Sequence, residues 1–153
     1  MRIGLVSDTH DRLRPEVLDF LAGSDHIVHA GDICSQGVLD ALAAIAPVTA
    51  VRGNNDRGAW AAALTDTAIV RLGGVVVCAI HDLAALRIDP VADGVRVVVS
   101  GHSHRPLVQE LGGVLSVNPG SAGPRRFKLP ISAGELVVAG GAVSARLVEW
   151  DGP

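Results

Sequence analysis

Cysteine is scarce in this chain, lysine scarcer, and no apolar run is long. Two cysteines in 153 residues, Cys34 and Cys78, are too few for a disulfide framework and too isolated for a CxxC site. Both read as reduced, buried thiols of a cytosolic protein. The longest apolar stretches reach only about six or seven residues, and a membrane-spanning helix needs roughly 20, so no membrane partner is expected. Met1 to Val6 contain no basic segment leading into a long apolar stretch, so no secretory signal is visible and a cytoplasmic location is expected. Positive charge is not in excess either. The 13 basic and 16 acidic residues leave a net charge of −3, which gives no general affinity for polyanions. A glycine-rich phosphate loop with its lysine is missing, which argues against a nucleoside triphosphatase.

What the chain does have is a core. Hydrophobic residues make up 48% and charged residues 19%, too apolar a balance for disorder. A chain of this length buries roughly 70% of the surface its unfolded form exposes. No linker, repeat or composition break divides it, so residues 1–153 read as one domain.

The first third alternates strand and helix signals. Arg2–Ser7 is a short apolar run ending in the turn-rich Asp8-Thr-His10-Asp11. Pro15 suits a first helical turn, and Val17, Leu18 and Leu21 form a stripe that stops at Gly23. His26–Ala30 reads as a buried strand, Ser35 as the N-cap of a second helix ended by Pro47, and Val48–Val51 as a third strand. That order implies an α/β fold with a parallel portion. Later runs flank Gly73-Gly74, Gly112-Gly113 and Gly140-Gly141, three hairpin connections that add an antiparallel component.

The metal-capable side chains fall at the ends of these runs. Asp8 and His10 follow the first strand, Asp32 the second and Asn54 the third. His81 follows Val75–Ile80, and His102 and His104 follow Val95–Ser100. In open α/β sheets, sites form outside the carboxyl ends of strands, so these residues can converge. Each element alone is weak: Asp-x-His is expected about 0.5 times by chance in this composition, though Gly-Asn-x-Asp only about 0.03 times. Asp8 and Asp32 could be turn formers, His102 and His104 exposed loop residues, and Asn54 a turn residue after Gly53. Chance does not supply their order and their placement at successive strand ends.

In that order, Ser7-Asp-Thr-His10, Gly31-Asp32, Gly53-Asn-Asn-Asp56, His81, Gly101-His-Ser-His104 and Asn118-Pro-Gly-Ser121 with Pro124-Arg125 resemble the calcineurin-like metallophosphoesterase superfamily. The likeness is greatest to its small bacterial and archaeal phosphodiesterases. It implies a four-layer α/β/β/α sandwich of two mixed sheets flanked by helices, and a site for two divalent metal ions. Carried over by position, one metal would sit on Asp8, His10, Asp32 and His104. The other would sit on Asp32, Asn54, His81 and His102, with Asp32 bridging. Nitrogen and oxygen ligands without thiolate suit Mn²⁺, with Fe, Ni or Zn possible. Such a pair polarises phosphoryl oxygens and activates a bridging hydroxide for in-line attack. Set against Asp8, Asp32 and that hydroxide, two divalent ions leave a single positive charge, which a phosphodiester neutralises and a monoester dianion overshoots.

The expectation is thus a metal-dependent phosphohydrolase acting on a small phosphoester, a diester in preference. The alternatives are a phosphomonoesterase on the same site and a non-catalytic interaction scaffold such as retromer's small subunit, which shares the fold. Asn55 stands where familiar members of the superfamily carry a histidine that contacts phosphate. An amide there can orient phosphate but has no useful acidic proton. Asp82 follows His81 where glycine is common in the family. Arg125 is a candidate phosphate contact, and His29 a candidate support for a metal ligand or a core histidine. Arg125-Arg126-Phe127-Lys128 reads as a solvated face, too small to indicate nucleic acid. Nothing decides the oligomeric state.

Overall fold

The structure, a computed structural model, describes residues 1–152. Its first sheet is built from β1 (Arg2–Val6), β2 (His26–His29) and β3 (Val48–Ala50), joined by helices α1 (Pro15–Leu21) and α2 (Gln36–Ala43). Pro15 opens α1, and the Ser35 hydroxyl caps α2 by accepting from the Val38 amide at 3.4 Å. The second sheet follows: β4 (Thr67–Leu72), β5 (Val75–Ile80), β6 (Val97–Val99), β7 (Leu107–Leu111) and β8 (Val114–Asn118). The chain then returns to the first sheet with β9 (Ile131–Ala139) and β10 (Ala142–Trp150).

The strand orders are β10-β9-β1-β2-β3 and β4-β5-β6-β8-β7. β1, β2 and β3 run parallel, as do β5, β6 and β8. The hairpins β4–β5, β7–β8 and β9–β10 are antiparallel, so both sheets are mixed. β9 runs antiparallel to β1, pairing Arg2 with Val137 and Leu5 with Gly134.

Side-chain alternation explains the layers. Ile3 and Leu5 of β1 face Val77 and Ala79 of β5 and Val97 and Val99 of β6 in one buried cluster between the sheets. Val6 and Ile27 point the other way, against Val17 and Leu21 of α1 and Val38 and Leu42 of α2. Cys78 and Val98 point to the outer face of the second sheet, where Leu86 and Ile88 cover them. That outer layer is thinner than the expected helical flank. Among the described residues, the segment between β5 and β6 forms only the 3-10 helix Leu83–Ala85, because it is short and interrupted by Pro90. The parallel strands all point one way, so their carboxyl-end turns meet along one edge of the sandwich.

Candidate metal centre

Five of the seven candidate ligands stand in backbone that side chains disfavour. Asp8 (φ 54°), His10 (46°), Asp32 (56°), His102 (71°) and His104 (58°) are all left-handed. Each such residue costs on the order of 1 kcal/mol and persists only where surrounding contacts over-determine it. Here those contacts are backbone hydrogen bonds between the turns. The amides of Asp8, His10 and Asp11 donate to the carbonyls of Gly31, Asp32 and Ile33 at 3.0, 2.9 and 2.8 Å. His102 and His104 therefore do not point together as alternate residues of an extended strand. The left-handed turn divides them: His104 stacks near His10 with centroids 5.4 Å apart, and His102 stands edge-on to His81 at 5.2 Å.

Glycine permits the approach. A Cβ on Gly31, whose φ is 96°, would lie 2.7 Å from His81 Nδ1, and one on Gly53 would run into the amide and carboxylate of Asp32.

Both carboxylates are pre-aimed. Asp8 Oδ2 accepts from the Ser7 hydroxyl at 2.7 Å and the His102 amide at 3.1 Å, while its Oδ1 is buried without a hydrogen-bond partner. That bare oxygen lies 3.8, 3.3 and 3.9 Å from the Nε2 atoms of His10, His104 and His81. Asp32 Oδ2 lies between His10 Nε2 at 3.6 Å and His81 Nε2 at 3.4 Å. Burial alone would raise both carboxyls. For Asp8, the nearby His104 ring, the Ser7 hydrogen bond and the charge of His81 reverse this; for Asp32, His81 and both Asn55 donors do so. Both stay below the usual carboxylate range.

Asp56 is the residue that holds this arrangement, and the sequence assigned it no role. Its buried carboxylate accepts from four backbone amides: Asp32 at 3.0 Å, Ile33 at 2.8 Å, Cys34 at 2.8 Å and Gly53 at 2.8 Å. It thereby ties the Asp32 turn to the Asn54 turn.

Does the donor set fit a cation? His81 Nδ1 lies 2.7 Å from the Ala30 carbonyl, which can only accept, so Nδ1 carries a proton and the neutral ring presents its Nε2 lone pair to the site. That lone pair faces two acceptors, Asp32 Oδ2 at 3.4 Å and Asn54 Oδ1 at 3.0 Å. Asn54 Oδ1 also lies 3.2 Å from His102 Nδ1. Acceptors facing acceptors, with Asp8 Oδ1 and His10 Nε2 both buried and unpartnered, are the signature of a missing positive charge. Asp8, His10 and His104 form one cluster of potential ligand atoms, and Asp8, Asp32 and His81 a second, each within 4.8 Å. The residues fit divalent ions. His104 is the one imperfect member, since its Nδ1 is buried with no hydrogen-bond partner among the described residues. Burial holds the His10 pKa low despite Asp32 and Asp8. At His81 the same desolvation is outweighed by the neighbouring Asp32 and Asp8 carboxylates, so its pKa is raised and a proton on Nε2 is what a bound cation would replace.

The other candidates fall as follows. Asn55 is exposed, and both its backbone and side-chain amides donate to Asp32, at 2.9 Å each. Arg125 turns away and donates to the Gly152 carbonyl at 2.7 Å. His29 is fully buried: it accepts from the Gly31 amide at 3.1 Å and meets the Thr9 hydroxyl at 2.9 Å, bracing both ligand-bearing turns. Desolvation drops its pKa to about 3, so it is neutral. Asp82 caps the 3-10 helix through the Ala84 amide. Cys34 is only half-buried, with Sγ 3.7 Å from His10 Nδ1. Burial and the surrounding aspartates push its thiol up to about 11, so it stands protonated beside the cluster. A cavity of about 420 Å³ opens beyond Asn54, His81 and His102, bordered by Arg52, Asp66 and Arg87.

Because these candidate ligands converge only in the folded chain, a divalent ion held there would bind the native state selectively. At a hundred-fold excess over Kd it adds about 2.7 kcal/mol of stability. For a chain of this size, that is a Tm rise of roughly 5–10 °C. Thermal unfolding of chelator-stripped protein with and without Mn²⁺ measures this, and an unchanged Tm across the divalent series would contradict the fit.

Comparison with known proteins matches residues 1–140 to the family model for the calcineurin-like phosphoesterase superfamily domain. A probable metallophosphoesterase of Methanocaldococcus jannaschii is 37% identical over 130 residues, 79% of this chain and 68% of that protein. Another, of Methanothermobacter thermautotrophicus, is 33% identical, covering 100% of this chain and 95% of its own length. Among solved structures, a novel archaeal phosphodiesterase superposes with a TM-score of 0.80 at 23% identity, covering 97% of this chain and 100% of that one. Vps29 of Entamoeba histolytica complexed with Zn²⁺ gives 0.75 at 22% identity, covering 97% and 99%.

Proposed function

Since the chain belongs to the calcineurin-like phosphoesterase superfamily, we propose that it hydrolyses phosphodiesters at a pair of divalent metal ions. The observation that carries this reading is the face-to-face set of acceptors on Asp8, His10, Asp32, Asn54, His81, His102 and His104, delivered by five strand ends. The two ligand clusters share Asp8, while Asp32 Oδ2 lies between His10 and His81, which suits it to bridge. Nitrogen and oxygen donors favour Mn²⁺, with Fe, Ni and Zn as competitors. Two such ions supply Lewis acidity to the phosphoryl oxygens and a water nucleophile of lowered pKa.

The protein's own groups do the rest. Ser7 and the His102 amide fix the Asp8 carboxylate so that one oxygen faces the site. The Ala30 carbonyl fixes the tautomer of His81. Asn55 steadies Asp32 in this structure, and its NH₂ is a side-chain donor available to a phosphoryl oxygen once that carboxylate is otherwise engaged. An amide donates no proton near neutral pH, so esters with good leaving groups should react fastest.

The likeness to Vps29 favours a second reading, a scaffold with no turnover. Complete, pre-aimed ligands favour the enzyme. Hydrolysis of bis-p-nitrophenyl phosphate by chelator-stripped protein, with and without Mn²⁺, tests the choice. Metal-dependent turnover exceeding that of p-nitrophenyl phosphate is expected. A faster monoester rate would make it a phosphomonoesterase. No turnover with any divalent ion that the protein binds would leave the scaffold.

A further inference from the structure

The exposed turn Arg126–Leu129 lies beside the candidate centre and has no structural reason for its sequence. The Leu129 amide donates to the Arg126 carbonyl at 3.0 Å, and between them Phe127 is 95% exposed with φ 55°. A bulky side chain in left-handed backbone is strained, and an exposed ring gains nothing from burial. Glycine or asparagine would serve the turn better. Exposure of one ring is ordinary, but a ring held in strained left-handed backbone between two cations is an outlier that invites a ligand.

The surroundings say which ligand. The loop carrying this turn is bound to the first ligand-bearing turn. The Ala122 amide donates to the Ser7 carbonyl at 3.0 Å, the Ser121 hydroxyl to the Asp8 carbonyl at 3.2 Å, and Gly123 lies so close to Thr9 that a Cβ would overlap its carbonyl. Arg126 and Lys128 flank the ring, both exposed and without an ion-pair partner among the described residues, and exposed Arg12 stands on the adjoining turn. On the other flank, beyond Asn54, His81 and His102, the cavity is bordered by Arg87, by Asp82 and by Arg52, whose charge is taken up by Asp66 at 3.0 Å. The cations around Phe127 thus have no such acidic partner among the described residues, in a chain that is acidic as a whole.

We propose that Arg126, Phe127 and Lys128 dock a nucleotide arm of the substrate, a base stacked on the Phe127 ring and a flanking phosphate on Arg126, so that the substrate class is single-stranded nucleic acid and related nucleotidyl diesters. This rests on the phosphodiesterase reading for its chemistry, but not for its binding. In the hydrolysis, water adds to phosphorus and the bond to the leaving oxygen breaks. The leaving group departs with that electron pair, and the proton of the water passes to solvent.

The test compares two diesters with one leaving group: thymidine 5′-(p-nitrophenyl phosphate) and methyl p-nitrophenyl phosphate. Phe127→Asn keeps the left-handed turn and removes the ring. It is expected to lower kcat/KM for the thymidine ester roughly ten-fold more than for the methyl ester. In chelator, fluorescein-labelled octathymidylate should bind the wild type and bind Phe127→Asn roughly ten-fold more weakly. Arg126→Gln should flatten the salt dependence of log Kd by about one. An equal effect of Phe127→Asn on both esters, or no ring-dependent octathymidylate binding, overturns the proposal. Ring-dependent binding with no metal-stimulated turnover of either ester would uphold the docking site and overturn the phosphodiesterase reading instead.

Discussion

Asp32→Asn is expected to abolish metal-stimulated hydrolysis of bis-p-nitrophenyl phosphate, by more than about a hundred-fold, with the fold intact. Replacing groups that merely support ligands costs roughly 10–100-fold in metal affinity or activity, and Asp32 faces two histidines directly. The side chain keeps its size and can still accept from the Asn55 amide at one oxygen. What it loses is charge, in a site where each negative charge offsets a cation. The variant should therefore bind less Mn²⁺ per chain, measured by elemental analysis after dialysis, and should lose most of the metal-dependent Tm rise. Removing the donor that stands beside Asn54 and His81, as in His102→Ala, should also abolish turnover. Full turnover in either variant would reassign the site.

Asp56→Ala is expected to have the largest effect on stability of any single substitution near the site. It strands four backbone amides, at Asp32, Ile33, Cys34 and Gly53, in a region with little room for water. A buried amide left without its acceptor costs about 1–3 kcal/mol, so four of them, partly relaxed, cost about 3–5 kcal/mol together. Domains of this kind have only about 5–15 kcal/mol in total. The expected fall in Tm is roughly 8–16 °C. The turns of Asp32 and Asn54 should loosen together, so metal affinity falls with stability even though Asp56 touches no metal. Asp56→Asn retains one accepting oxygen but turns an NH₂ towards the amides, and should fall between. If Asp56→Ala unfolded at the wild-type temperature, the clamp would be ornamental.

Much of this was legible in the sequence because its signals are local. Gly-Gly pairs between apolar runs mark the three hairpins, and period-two burial separates the inner faces of β1, β5 and β6 from their outer faces. The candidate ligands were readable because each follows a strand directly, and parallel strands bring their ends together. Three things were not readable, and all depend on partners far away in the chain. Asp56 closes a local turn with Gly53, which resembles ordinary turn chemistry; its three remaining donors come from residues 32–34. The division of His102 from His104 is set by left-handed backbone that the residue types do not advertise. Asn55 faces its own neighbouring carboxylate, a contact made only when the β2 and β3 turns meet.

The pairing of β1 with β9 has a consequence for how the molecule is made. Arg2 stands in register with Val137, so β1 is flanked on one side by a strand of this domain that is synthesised much later. β2 can occupy the other edge early. At ordinary rates of synthesis, the edge reserved for β9 stays open for on the order of ten seconds, a long time for an exposed apolar strand. The turns from Asp8 to His104 are all synthesised within that interval. The candidate ligands all precede β9 in the chain, so they can come together before the first sheet is closed, and a cation held there would brace β1 and β2 until β9 arrives.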